Sequence, residues 1–147
     1  MKSKLIYEEG GRKTFAVIFD KGDEAKQGLT DFAKRHRLGV SQITAIGAFS
    51  DVTLGYFDRQ KREYLEIPVH EQVEVLSLLG DIVDDQGEPS VHAHVVAGKK
   101  DGSTVGGHLL EAHVWPTLEV VVTESPTHLR KSYDPETGLA LISIRDA

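Results

Sequence analysis

The chain has 147 residues, of which 39% are apolar and 27% charged, and this length suits a single domain spanning residues 1–147. It contains no cysteine, which excludes disulfides, thiolate metal sites and cysteine nucleophiles, so any metal must take nitrogen and oxygen ligands. The net charge is −6, from 17 Lys and Arg against 23 Asp and Glu, whereas proteins that bind nucleic acid through its phosphates usually carry a basic excess.

The first predicted elements are a buried strand and a helix. The run from Lys13 to Asp20 is apolar and rich in strand-forming residues, which predicts the strand. In the segment that follows, apolar residues recur at helical spacing, and Gly39 closes the pattern. The residues of this apolar face are Ala25, Leu29, Phe32 and Ala33. We therefore expect an amphipathic helix of about four turns.

The middle of the chain has the pattern of β-structure. Residues 41–58 form a short apolar element followed by a strand, in which Gly47 and Gly55 indicate bulges or close backbone approach. Residues 64–69 form a returning strand, and Pro68 belongs at a strand end or a sheet edge. The pattern alone leaves residues 71–83 open between a helix and a strand that is buried on both faces.

The second half of the chain is predicted to be almost entirely β. Residues 91–115 form a strand, a tight turn and a second strand, and they hold four of the seven histidines. A β-branched run at Thr117–Glu124 predicts a central strand, and Leu139–Ile144 forms a final strand after a turn. The fold class is therefore α+β, with a mixed, mainly antiparallel sheet of about seven strands, because the connections are short.

The histidine hairpin carries the chemistry of the sequence. In Val91–Ala97 the side chains alternate between faces, so His92 and His94 share the face opposite the apolar one, with Cβ atoms roughly 6–7 Å apart. Two imidazoles on one strand need a third ligand from a neighbouring strand to form a metal site. His108, on the returning strand, is the candidate.

The hairpin register decides whether His108 can join the other two. A two-residue turn at Asp101–Gly102 would place Val95 opposite His108, on the wrong face. A three-residue loop at residues 100–102 would place His94 directly opposite His108, and Gly102 suits the left-handed position that such loops need. The sequence permits both registers.

Three histidines with one further coordination position are the arrangement of catalytic zinc, and iron, nickel or copper would also accept them. Zinc is the first choice for this site. The alternative is that the histidines are polar side chains on a solvated or interface face. Glu111 and His113, placed past the second strand, could add a ligand or an acceptor that orients one.

Other catalytic patterns are absent from the sequence. No glycine-rich segment has the form of a phosphate-binding loop, and Ser50 and Asp51 do not form a nucleophile elbow. Asp81, Asp84 and Asp85 are interpreted as a solvated charged loop. Catalytic residues are therefore unassigned, and it stays open whether the protein is an enzyme.

Four segments together resemble the plant and prokaryote conserved (PPC) domain, which forms the body of plant AT-hook nuclear proteins and stands alone in small prokaryotic proteins. They are residues 45–58, 92–114, 116–124 and 133–142, and the similarity runs from about residue 4 to residue 144. The resemblance implies a mainly antiparallel sheet flanked by helices, assembled as a homotrimer. It favours a strand for "EVLSLLGDI" at residues 74–82. It also implies that His92, His94 and His108 are positions where prokaryotic members hold a metal.

The resemblance also guides the hypotheses of function. Members of this family are often described as DNA-binding, but this chain lacks the R-G-R-P segment of the AT-hook and is acidic, so we expect no direct DNA binding. The first hypothesis is a trimeric metal-binding domain with a regulatory or interaction role. The alternatives are a metal-dependent, hydrolase-like enzyme with Glu111 or His113 as base, and a DNA-associated factor that acts through a partner protein. No signal sequence or membrane span is visible, so a cytoplasmic protein without a membrane partner is expected.

Overall fold

Apolar and β-branched runs dominate the chain, and the computed structural model accordingly shows nine strands and one helix in the residues that it describes, 1–144. The elements in chain order are β1 (Lys2–Glu9), β2 (Arg12–Phe19), α1 (Ala25–His36), β3 (Val40–Asp58), β4 (Glu63–Val69), β5 (Val73–Asp85), β6 (Glu88–Gly98), β7 (Thr104–Glu124), β8 (Arg130–Asp134) and β9 (Leu139–Ser143).

The mainly antiparallel sheet that the sequence predicts is confirmed. Every strand pair is antiparallel except β5 with β8, which meet in parallel at Asp84 and Arg130. The expectation of about seven strands flanked by helices is corrected to nine strands and a single helix within residues 1–144. Strand β1 was missed because all eight of its residues are exposed, so it has no alternation of buried and exposed positions. Residues 71–83 contain most of strand β5 and not a helix.

Four strands pair in a closed circuit, so the sheet curls back on itself. Strand β3 pairs with β5, β5 with β6, β6 with β7, and β7 again with β3. The two long strands, β3 with 19 residues and β7 with 21, bend at register shifts. One lies at Gly47, where φ is 150° and an added Cβ would meet the carbonyl oxygen of Thr117 at 2.3 Å. The bulge or close backbone approach predicted at Gly47 is therefore confirmed, since both occur there, and the backbone geometry requires glycine.

The helix packs its predicted apolar face against β6 and β7. Leu29 and Phe32 are fully buried there, as the helical spacing indicates. At the N-terminal end of the helix, the Glu24 carboxylate caps it by accepting hydrogen bonds from the backbone N–H groups of Lys26 and Gln27. The same carboxylate accepts from the N–H of Ala112 on β7 at 3.0 Å, so the helix start is tied to that strand. No helix within residues 1–144 has the length and apolar character needed to cross a bilayer.

Candidate metal centre

The β6–β7 hairpin turns through a three-residue loop. Lys99 N–H donates to the Ser103 carbonyl at 2.8 Å, and Gly102 N–H donates to the Lys99 carbonyl at 2.9 Å. Gly102 has a φ of 83°, the left-handed conformation that the sequence assigns to it. This register places His94 directly opposite His108, so the three-residue alternative is confirmed and the two-residue turn is not formed.

The register brings three histidines together. One ring nitrogen of each of His92, His94 and His108 lies within 4.8 Å of the other two, and these residues are called the three-His group here. The Nε2 atoms of His92 and His94 are 3.1 Å apart. His94 is exposed, whereas the other two are half-buried, and the ring of Tyr64 stacks on His108 with centroids 4.6 Å apart. The group is therefore packed on one side and accessible on the other.

The surroundings favour neutral imidazoles, which is the state that binds a metal. Burial, together with the nearby charge of His92 and Lys26, lowers the pKa of His108 to about 4. Burial also lowers the pKa of His94. Nδ1 of His108 is buried and has no hydrogen-bond partner among the described residues, so a donor-capable nitrogen is left unsatisfied there. Three imidazole nitrogens in this arrangement fit zinc and the other late first-row divalent metals.

The Asp81 carboxylate supports the three-His group, although the sequence predicted that this residue would lie in a solvated loop. Asp81 lies in β5 and not in a solvated loop, and the β5–β6 register places it opposite His92. Its Oδ2 atom is 3.5 Å from Nδ1 of His92, and its Oδ1 atom is 3.9 Å from Nζ of Lys131. A carboxylate on the far nitrogen of a metal-ligating histidine fixes the orientation of the ring. The contact follows from the β5–β6 hairpin, because its two-residue turn at Gln86 and Gly87 pairs Asp81 with His92.

Lys131 is the second group that the sequence interpretation missed. Its side chain is only 7% exposed, and Nζ donates to Oγ of Ser90 at 3.3 Å as well as facing Asp81. A buried ammonium needs an opposite charge nearby, and Asp81 supplies it. Asp81 therefore lies between His92 and a buried lysine, so both its position and its charge are constrained.

Glu111 and His113 lie within strand β7 and not past its end. Nδ1 of His113 lies 2.8 Å from Oδ1 of Asp51, and its Nε2 atom is 4.0 Å from Oε1 of Glu111. The hydrogen bond to Asp51 raises the pKa of His113 and lowers that of the Asp51 carboxyl. The three-His group does not include either residue, and no contact within residues 1–144 supports the role toward a metal predicted for them.

Comparison with known proteins gives one family and several similar structures. The family model described as Plants and Prokaryotes Conserved (PCC) domain matches residues 7–126. A plant- and prokaryote-conserved (PPC) protein from Pyrococcus horikoshii has a similar structure, with a TM-score of 0.85, 29% identity, and coverage of 99% of this chain and 97% of that chain. A metal-containing protein from Archaeoglobus fulgidus is 34% identical, with a TM-score of 0.82 and coverage of 96% of this chain and 98% of that chain.

A third similar structure, from Bacteroides thetaiotaomicron, bears the name "putative DNA binding protein". It is 26% identical, with a TM-score of 0.85 and coverage of 96% of each chain. No curated protein matches the chain.

Proposed function

The chain belongs to the Plants and Prokaryotes Conserved (PCC) domain family, as the motif segments predict, and on this premise we propose that it is a trimeric metal-binding module with a regulatory or interaction role. The observation that carries the proposal is the three-His group, whose nitrogens lie within 4.8 Å of one another. His92, His94 and His108 would hold the ion, and zinc is the first choice, with iron, nickel or copper as alternatives.

Two further observations support a bound metal. Asp81 is positioned to orient the ring of His92, as carboxylates do beside metal-ligating histidines. The similar structure from Archaeoglobus fulgidus is that of a metal-containing protein. When bound, a divalent ion of this kind polarises its other ligands and lowers the pKa of a bound water.

An exposed apolar surface supports assembly with further copies of the chain. Its six side chains come from five strands on the outer face of the sheet and are between 37% and 61% exposed: Ile18, Ile46, Leu76, Leu79, Val96 and Val121. We call this set the apolar face. Contiguous apolar surface of this kind usually marks an interaction site. Leu79 is paired directly with His94, so copies that cover the apolar face would border the metal site and couple metal binding to assembly.

Metal analysis tests the first part of this proposal. We expect about one divalent metal ion per chain, measured by mass spectrometry after tag removal and reconstitution, and loss of that ion in His94→Ala. His128→Ala is the matched control, because His128 is an exposed histidine outside the three-His group. Absence of metal from the unaltered protein, or equal loss in both variants, would contradict the metal site.

Light scattering after size exclusion tests the second part. We expect the mass of a trimer for the unaltered protein and a smaller species for Leu79→Glu, because a carboxylate in a buried apolar contact is costly. Tyr133→Glu is the control, because Tyr133 is 68% exposed but lies on β8, away from the apolar face. A monomer at micromolar concentration would contradict the trimer.

A metal-dependent, hydrolase-like activity is the second candidate, favoured by the exposure of His94, which leaves one side of the group accessible. A side chain that could act as base would have to approach that side, and Glu111 and His113 are not part of the group. A screen of ester and phosphate-ester substrates with zinc-loaded protein tests the candidate, and turnover that survives His94→Ala would count against it.

For nucleic acid, we propose that any association runs through a partner protein. A similar structure carries the name "putative DNA binding protein", but the net charge of this chain is −6 and it has no AT-hook segment.

A further inference from the structure

A cavity of about 510 Å³ lies beside the three-His group, and the C-terminal hairpin of β8 and β9 forms one of its walls. Its size falls within the range of small-molecule sites. The family model matches residues 7–126, whereas the hairpin begins at Arg130, so this wall lies outside the matched region.

Part of the cavity lining carries charge. Lys26, Lys131 and Asp81 line it beside the imidazoles of His92 and His108. The charge of Lys131 is matched by Asp81, whereas Lys26 makes no ion pair with any residue in the described part of the chain. Lys26 occupies the first turn of α1, where the Glu24 cap and its bond to β7 hold the helix start in place. A divalent ion on the histidines would add two further positive charges to this part, so the cavity favours an anion.

Another part of the cavity lining is apolar. Leu139, Leu141 and Ile142 of the hairpin line the cavity, together with Val91 of β6. Ile142 pairs with Lys131, whose side chain faces Asp81, so these two side chains lie on the same face of the hairpin. Ile142 is 42% exposed, and its side chain therefore presents apolar surface that an occupant could cover. A ligand that matches both parts carries negative charge at one end and an aliphatic or aromatic body at the other.

We propose that this cavity binds a small organic carboxylate, whose charged group ligates the metal ion and pairs with Lys26 while its apolar body packs against Ile142. The inference rests on the proposed function, because the ion supplies one of the two contacts to the carboxylate. Inorganic anions would satisfy only the charged part, and uncharged or cationic molecules of the same size would leave Lys26 unpaired. Charge-assisted hydrogen bonds at such a site are stronger than neutral ones.

Cobalt(II)-loaded protein provides the direct test, because the visible absorption of cobalt changes when an anion enters its coordination shell. The probes are butyrate, its uncharged isostere butyramide, and hexanoate. We expect a saturable spectral change with butyrate and none with butyramide. We expect hexanoate to bind more tightly than butyrate, by up to about fourfold for each added methylene that the apolar wall covers.

Substitution of Lys26 separates its contribution from that of the metal. In Lys26→Met we expect unchanged cobalt content and butyrate affinity weaker by roughly fivefold or more, as for loss of a hydrogen bond to a charged group at a partly exposed site. Lys34→Met is the matched control, because it removes the same charge from the same helix at a position that does not line the cavity. We expect it to bind butyrate as the unaltered protein does.

The outcomes distinguish this inference from the proposed function. Stoichiometric cobalt with no spectral response to either carboxylate would overturn the anion site and leave the metal site standing. Equal butyrate affinity in Lys26→Met and Lys34→Met would overturn the pairing with Lys26. Ile142→Asn should abolish the advantage of hexanoate over butyrate, and retention of that advantage would overturn the role of the hairpin wall. A protein that takes up no metal would overturn both proposals together.

Discussion

Replacing Asp81 by asparagine is expected to weaken zinc binding about tenfold without removing a ligand. The Asp81 carboxylate lies 3.5 Å from Nδ1 of His92, whose Nε2 atom is 3.1 Å from Nε2 of His94. Removing a group that orients a metal-ligating histidine typically lowers the metal affinity 10- to 100-fold. The distance is long for a hydrogen bond and the Asp81 side chain is 31% exposed, so we expect the lower end of that range, about 1.4 kcal/mol.

The same substitution also has a structural cost that must be separated from its effect on the metal. Asp81→Asn leaves the Lys131 ammonium, 7% exposed, without a carboxylate, which is expected to lower the free energy of unfolding by about 1–3 kcal/mol. Adding Lys131→Met removes the unpaired charge. If Asp81 orients His92, the double variant regains stability to urea but keeps the weakened zinc affinity. Recovery of both together would show that Asp81 acts only through packing and charge balance.

Zinc affinity is measured by competition with a chromogenic chelator, and stability by urea denaturation of the metal-free proteins. Asp84→Asn is the control, because Asp84 lies on the same strand but accepts a hydrogen bond from Gly87 N–H at 3.2 Å instead of facing a histidine. Zinc affinity of Asp81→Asn equal to that of the unaltered protein, or an equal loss in Asp84→Asn, would refute the reasoning.

Three further predictions follow from the fold and the charges. Gly47→Ala should lower the free energy of unfolding by more than about 2 kcal/mol in urea titrations, because φ is 150° and the new Cβ would meet the Thr117 carbonyl oxygen at 2.3 Å; an unchanged transition would contradict that geometry. Asp51→Asn should lower the pKa of His113 in an NMR titration, because the raised pKa comes chiefly from their hydrogen bond. That pair stabilises the fold below the ordinary histidine pKa of 6.5 and loses its effect as pH rises through the raised value, so the variant should lack this pH dependence. An A·T-rich duplex should bind with a Kd weaker than about 10⁻⁶ M at physiological salt, and tighter binding by anisotropy would contradict indirect association.

The three-His group could be predicted from sequence because its geometry is local. Strand alternation places His92 and His94 on one face, and a glycine suited to the left-handed position indicates the loop that brings His108 opposite. These are properties of a single hairpin, in which the turn sets the register. The helix was predictable for a similar reason, because the spacing of its apolar residues depends on nothing beyond the helix itself.

The groups that support the site were missed for two different reasons. Asp81 reaches His92 through the β5–β6 hairpin, whose two-residue turn at Gln86 and Gly87 sets the register, but Asp81, Asp84 and Asp85 were interpreted as a solvated loop, so this hairpin was not predicted. Lys131 reaches Asp81 through β8, which is distant in the chain, and no short turn sets that contact. The full length of β7 was also not predicted, because its bulges interrupt the alternation of buried and exposed residues around His113.

The apolar residue pattern of β5 predicts more burial than a single chain provides. Its apolar residues fit a strand buried on both faces, yet in this chain Leu78 is fully buried while its neighbour Leu79 is 57% exposed. A strand with leucines on both faces is typical of the interior of a layered structure, and one chain covers only one of those faces. The second face is the apolar face, which continues across five strands and adjoins His94. Further copies of the chain would bury it. Because the apolar pattern of β5 predicts burial that one chain does not provide, and because this exposed surface adjoins His94, assembly and metal binding are expected to be coupled.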